Sequence, residues 1–174
     1  MSAIKKLINL KPIDLQIIKI EKLNKMLENQ CNDLAIRSFS AIYKQAWNNT
    51  FKQKAIAGFQ NYLEQFKNNP QDWIFLITQC DTILSGWALF YIDKQKQRVI
   101  IEHLSIDPQF WRKGLGKKLI FSLIDYYPKI KSFAVVTRTI NNISPKFYTS
   151  LGFIKTDFSI AGYTEPMQGY ELFL

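Results

Sequence analysis

Cysteine and histidine are nearly missing from this chain. It has two cysteines, Cys31 and Cys80, and one histidine, His103, among 174 residues. Two cysteines make no disulfide framework, and none of the three residues has the spacing of a zinc site. No metal is therefore expected, and a reduced, cytoplasmic setting is the simplest expectation. Long hydrophobic runs are missing too. The longest mostly apolar stretch, Ile83 to Ile92, is far short of the ~20 residues that a bilayer span needs. Behind Lys5 and Lys6 the apolar residues are interrupted by Asn9, Lys11 and Asp14. Neither a signal peptide nor a membrane partner is expected. No internal repeat, low-complexity block or Pro/Gly/Ser linker divides the chain, so 1–174 reads as a single domain.

Aromatic residues and positive charge are plentiful. Thirteen Phe, eight Tyr and four Trp supply a heavy core, and Lys plus Arg exceed Asp plus Glu by 23 to 14. The resulting charge of +9 is uneven: residues 1–30 carry +3, residues 94–118 carry +5, and the rest adds +1. A cluster of this kind is either a solvated face or a site for a polyanion, such as a nucleotide cofactor or nucleic acid.

The hydrophobic period changes along the chain. Leu15 to Ile20 reads as a strand. Glu21 to Trp47 has helical spacing, with a break expected near Asn32-Asp33, and Phe51 to Phe66 reads as a second helix ended by Asn68-Asn69-Pro70. Trp73 to Thr78, Ile83 to Ile92 and Arg98 to Ile106 form a three-strand meander. Gly116 to Tyr127 is an amphipathic helix and Phe133 to Arg138 a strand. A further helix is punctuated by Ser144 as N-cap, Pro145 in its first turn and Gly152 past its end. Phe153 to Ile160 and Gln168 to Leu174 close the chain as strands. The expected class is α/β: a mixed central sheet, an antiparallel meander then strand–helix–strand–helix–strand–strand, flanked by helices.

The chemistry concentrates in Ile106-Asp107-Pro108-Gln109-Phe110-Trp111-Arg112-Lys113-Gly114-Leu115-Gly116-Lys117-Lys118. This stretch joins a strand to a helix through a basic, glycine-containing turn. Glycines allow a close backbone approach, and the free N–H groups of a helix start favour an anion. A phosphate loop of the Gly-x-x-x-x-Gly-Lys-Ser/Thr kind is excluded, because Trp111 replaces its first glycine and Lys118 its hydroxyl residue. A dinucleotide fingerprint is excluded by Leu119 at its third glycine.

With its preceding strand, "LSIDPQFWRKGLGKKL" resembles the phosphate loop of the GNAT superfamily of acyl-CoA-dependent N-acyltransferases, commonly Gln/Arg-x-x-Gly-x-Gly/Ala. Trp111 stands where Gln or Arg is usual. "TRTINNISPKFYTSLGF" resembles the same superfamily's later motif, with Asn141, Tyr148 and Leu151-Gly152-Phe153 in place. The resemblance covers about residues 72–174.

The resemblance implies a GNAT-like fold and acetyl-CoA as co-substrate. It implies that N–H groups from Arg112, Lys113, Gly114, Leu115, Gly116 and Lys117 hold the pyrophosphate. The backbone of Leu104, Ser105 and Ile106 would pair with the pantetheine arm as an added strand. An N–H near Ile106 would face the thioester carbonyl, Asn141 would help position the cofactor, and Tyr148 would protonate the departing thiolate. The strand before the later motif, Phe133-Ala134-Val135-Val136-Thr137, holds no acid. Glu102 and His103 are then the nearest titratable candidates for the base, with deprotonation through water as the alternative.

The expected activity is acetyl transfer from acetyl-CoA to a primary amine by direct attack. The acceptor is left open among a small metabolite, a peptide N-terminus and a lysine. The rivals are a GNAT-fold enzyme acting on aminoacyl-tRNA or another nucleic-acid-linked amine, and a non-catalytic acyl-CoA-binding module. Nucleic acid is a possible partner that the charge does not require, and no interface pattern indicates an oligomeric state. Trp47, Phe51 and Tyr163 are weaker candidates for an acceptor pocket.

Overall fold

The computed structural model describes residues 15–174, so Lys5, Lys6 and Lys11 of the basic N-terminal segment lie outside the described residues. The elements run β1 (Leu15–Lys19), α1 (Lys25–Tyr43), α2 (Asn49–Asn68), β2 (Trp73–Cys80), β3 (Ile83–Asp93) and β4 (Arg98–Ile106). They continue with α3 (Leu115–Phe121), α4 (Leu123–Tyr126), β5 (Ser132–Arg138), α5 (Ser144–Ser150), β6 (Ile154–Thr156) and β7 (Met167–Phe173). The strands form one mixed sheet in the order β1-β2-β3-β4-β5-β7-β6, in which only β4 and β5 are parallel.

Helices cover both faces, which is why β2 and β3 are near-continuous apolar runs rather than alternating ones. On one face Leu34, Phe59 and Leu63 of α1 and α2 pack on Phe75, Trp87 and Leu89. On the other, Leu119 and Ile120 of α3 and Tyr148 of α5 pack on Leu76, Phe90 and Phe133. Trp87, fully buried, donates its indole N–H to the Cys31 carbonyl at 2.9 Å and ties β3 to α1. A bond of this kind contributes about 1 kcal/mol net. Both cysteines are free and buried. No helix among the described residues is long and apolar enough to cross a membrane.

Several boundaries differ from the sequence reading, each for a local reason. α1 does not break at Asn32-Asp33. Cys31, Leu34, Ala35 and Ser38 are all buried, and Asp33 sits on the outer face of an uninterrupted helix. α1 starts at Lys25 rather than Glu21, because the Asn24 side chain accepts from the Leu27 N–H at 2.8 Å. The helix read over Gly116 to Tyr127 divides at Ser122, whose hydroxyl donates back to the Leu119 carbonyl at 3.0 Å. Ser144 is not the cap of α5. The Asn141 side-chain oxygen accepts from the N–H groups of Ile143 and Ser144, at 3.0 and 2.9 Å. The strand read over Phe153 to Ile160 contracts to the three residues of β6.

Two irregularities in β4 position the site. Along the β3–β4 ladder Leu89 faces His103 and Phe90 faces Ile101, so Glu102 is an extra, bulged residue. On the other side β4 pairs with β5 only at Arg98–Ser132, Val99–Phe133 and Ile100–Ala134. Past Ile100 the two strands part, and the β5-facing backbone of β4 becomes an open edge inside the molecule. The bulge and the parting begin within two residues of each other, as a locally bent strand requires.

Candidate active site

The wedge between the parted strands is a cavity of about 140 Å³. Glu102, His103 and Leu104 line its β4 side, and Val136, Thr137 and Arg138 its β5 side. Phe39 and Tyr43 of α1, Phe59 and Tyr62 of α2, Tyr148 of α5, Asn141 and Tyr163 complete the wall. The fold thus gathers Glu102, Leu104, Asn141 and Tyr148, distant in sequence, around one space.

The two candidate bases differ. Glu102 is partly buried, and desolvation of its carboxylate pushes its pKa up to about 7. A carboxylate at that value can give and take a proton near neutral pH. His103 is 4% exposed and its imidazole stacks on Trp87 at 3.7 Å between ring centres. Burial lowers its pKa to about 3, so the ring stays neutral, and it hydrogen-bonds the Ser105 hydroxyl at 2.7 Å. His103 therefore packs the cavity wall as a neutral ring, and Glu102 is the one of the pair that titrates near neutral pH.

Tyr148 is 5% exposed. Burial first, then the neighbouring Tyr43, pushes its phenol above the ordinary tyrosine range, so the hydroxyl keeps its proton at working pH. Asn141 is occupied locally. Besides capping α5, its amide nitrogen donates to the Ser144 hydroxyl at 2.7 Å and to the Tyr43 hydroxyl at 3.4 Å. The structure therefore gives Asn141 a positioning job: it fixes the start of the helix that carries Tyr148. Tyr62 and Tyr163 join hydroxyls at 2.5 Å and link α2 to the β6–β7 connection. Burial pushes both phenols up, and the charge of Glu102 adds to it.

The basic turn leaves the far end of β4. Trp111 donates its indole N–H to the Ile106 carbonyl at 2.7 Å and so closes the strand end. Arg112 and Gly114 adopt positive φ values of 62° and 78°, and the chain enters α3 at Leu115. Arg112, Lys113, Lys117 and Lys118 are exposed around the turn. Gly116 is buried, and a Cβ there would lie 2.9 Å from the Phe147 ring, so this glycine sets how closely α3 meets α5. Asp107 is held by Arg37 of α1, with contacts of 2.9 and 2.8 Å, and accepts from the Gln109 N–H at 3.2 Å. Ser105 and Ile106 complete the edge, Ser105 buried and Ile106 packed toward the core.

Sequence reasoning missed three contributors. Tyr43 and Tyr62 read as apolar helix positions, and nothing local marks them as cavity walls. Thr137 is 6% exposed, and its hydroxyl oxygen is buried with no hydrogen-bond partner. A buried, unpaired hydroxyl beside a cavity awaits a polar atom from a ligand or water. Among the described residues no three His, Cys, Asp or Glu side chains gather as a metal cluster.

A model of the acetyltransferase (GNAT) family matches residues 32–153. No curated protein matches the chain. Among solved structures, the PaiA N-acetyltransferase of Thermoplasma acidophilum, in complex with coenzyme A, superposes with a TM-score of 0.75 at 18% identity, over 93% of this chain and 100% of that one. An acetyltransferase of Streptococcus agalactiae superposes with a TM-score of 0.66 at 19% identity, covering 92% and 98% of the two chains. The ribosomal-protein-S18-alanine N-acetyltransferase of Escherichia coli does so with a TM-score of 0.63 at 16% identity, over 91% and 92%. At these identities the likeness is one of fold.

Proposed function

The chain belongs to the GNAT acetyltransferase family, an acyl-CoA-dependent class of N-acyltransferases, and from that premise we propose that it transfers acetyl from acetyl-CoA directly to a primary amine. The observation that carries the reading is the β4–β5 wedge, with a near-neutral carboxylate, Glu102, and a protonated phenol, Tyr148, lining one cavity.

The residues present fit an acyl-CoA. The open edge over Leu104, Ser105 and Ile106 offers main-chain partners to an extended amide-bearing arm. The orphaned Thr137 hydroxyl offers a further polar contact inside the cavity. Arg112, Lys113, Gly114, Leu115, Gly116 and Lys117 meet the pyrophosphate at the outer end. Bound there, the cofactor supplies an activated acetyl thioester.

The chain's own groups handle the protons. Glu102 accepts one from the attacking amine, which arrives as an ammonium. Tyr148 donates its Oη proton to the sulfur as the C–S bond breaks, and it recovers a proton from the second one that the nitrogen sheds on becoming an amide; the proton held by Glu102 passes to solvent. Asn141, by holding the first turn of α5, keeps that phenol aimed into the wedge. Tyr43 and Tyr62 exclude water from around Glu102, which sustains its raised pKa.

The test is thiol release from acetyl-CoA with a panel of amines, peptides and aminoacyl-tRNAs. Tyr148→Phe is expected to lower kcat by about 10²-fold or more, with acetyl-CoA binding changed little. Equal turnover by the variant removes Tyr148 as the acid. No acceleration by any acceptor overturns the transfer reading.

A further inference from the structure

A second cavity, about 420 Å³, lies beside the reactive wedge, and the two share Lys54 and Arg138 as walls. An acceptor whose amine reaches Glu102 must put its remaining atoms somewhere, and this is the adjoining space. Its chemistry is specific. Phe51, Ile140 and Pro166 give it apolar sides. Its charged walls are Lys54, Arg138 and one acid, Glu165.

Glu165 is already engaged. Arg138 Nε donates to Glu165 Oε1 at 3.0 Å, and the Thr164 hydroxyl donates to Oε2 at 3.2 Å. Arg138 beside it holds the Glu165 carboxyl below its ordinary range, so it stays ionised. That pair, with the Phe51 ring 5.2 Å and the Tyr43 ring 5.9 Å from the guanidinium, fixes Arg138 in the wall. Lys54 has no ion-pair partner among the described residues and is exposed at the boundary of the two cavities. The cavity therefore keeps one uncompensated positive charge, next to a fixed guanidinium and an apolar wall.

Resting on the acetyl-transfer reading, we propose that this cavity is the acceptor subsite. We propose further that the acceptor is a small amine carrying an anionic group, a carboxylate or a phosphate. Lys54 and Arg138 hold the anion at the junction of the cavities, the amine points to Glu102, and an apolar body lies against Phe51, Ile140 and Pro166. A polycationic acceptor is disfavoured, because it would bring its second charge against Lys54 and Arg138. The Tyr62–Tyr163 hydrogen bond runs along the wall of the reactive cavity and suits a small acceptor better than a folded one.

The experiment uses the full chain saturated with CoA or acetyl-CoA and matched acceptor pairs. These are L-phenylalanine against L-phenylalaninamide, 4-aminobutanoate against 4-aminobutanamide, and 2-aminoethyl phosphate against ethanolamine. Acceptor binding is read by calorimetry on the CoA complex, and transfer by thiol release from acetyl-CoA. The expected result is a roughly 10- to 100-fold preference in kcat/KM for the anionic member of at least one pair, expressed mainly in KM. The pair that shows it tells carboxylate from phosphate. Lys54→Met should remove most of the preference, and Lys54→Arg should restore it, with the KM for acetyl-CoA unchanged in both. Equal use of charged and neutral members, a preference that survives Lys54→Met, binding of neither member of any pair, or transfer to aminoacyl-tRNA but to no free amine would each overturn the subsite. Anion-dependent binding without thiol release leaves the subsite standing and overturns the transfer reading instead.

Discussion

Glu102 and His103 are sequence neighbours whose chemistry is set apart by where their side chains end. His103 is walled in by aromatic rings and is neutral throughout the working range. Glu102 reaches the cavity and titrates near 7. Two consequences follow for Glu102→Gln. In the wild type kcat/KM should rise with pH through about 7 as the carboxylate ionises, and the variant should lose that limb along with most of its activity. Stability should move the other way. The folded pKa lies above the unfolded value of 4.5, so the contribution of the neutral carboxyl is complete below 4.5 and is lost as pH rises through 7. A tenfold change in proton affinity on folding is worth about 1.4 kcal/mol. Glu102→Gln should therefore be more stable than the wild type at pH 8 by up to about 3 kcal/mol, measured by urea denaturation. An unchanged pH profile together with an unchanged pH dependence of stability would remove Glu102 as the base.

Among elements, the contact between α3 and α5 couples the two ends of the site. Gly116 lies in the turn that resembles a phosphate loop, and Phe147 is the residue before Tyr148. A Cβ at Gly116 would meet the Phe147 ring at 2.9 and 3.3 Å. Gly116→Ala should therefore push α5 from α3, cost about 1–3 kcal/mol of stability, and lower kcat together with acetyl-CoA affinity. A parallel Gly114→Ala meets no atom within 4 Å but must hold φ at +78°; it should disturb the turn and spare Tyr148. If denaturation and kinetics show Gly116→Ala to be neutral, the proposed coupling is absent. Trp111 belongs to this scale as well. It replaces the usual polar residue of the turn and is used to close the end of β4.

For the whole molecule, the turn with its exposed cations follows the end of β4, and the second cavity lies beside the end of β5. Acetyl-CoA at 100 times its Kd should add about 2.7 kcal/mol of stability. For a chain of this size that is a rise in Tm of roughly 5–10 °C. Since Arg112, Lys113, Lys117 and Lys118 are exposed, their attraction is screened by salt, and the rise at fixed ligand should shrink markedly between about 0.1 and 1 M NaCl. A rise indifferent to salt would place the anionic end of the ligand elsewhere.

The alternation of periods, the glycine turn and the Asn141–Tyr148 block are local patterns, and they specified the mixed α/β sheet, the family and the order of its elements. Local pattern could do this because a strand or an amphipathic helix carries its buried face in its own spacing. The bulge at Glu102, the parting of β4 from β5 and the Asn141 cap were not legible. Each depends on which strand lies opposite or which helix is packed behind, and no spacing within one segment encodes that. The same holds for the second cavity, where Lys54, Arg138 and Glu165 come from three separate segments. The sequence by itself determined the fold and its acyl-CoA chemistry. Only the tertiary structure decided which carboxylate is desolvated and which phenols line the same cavity, because burial and charge are summed over neighbours in space.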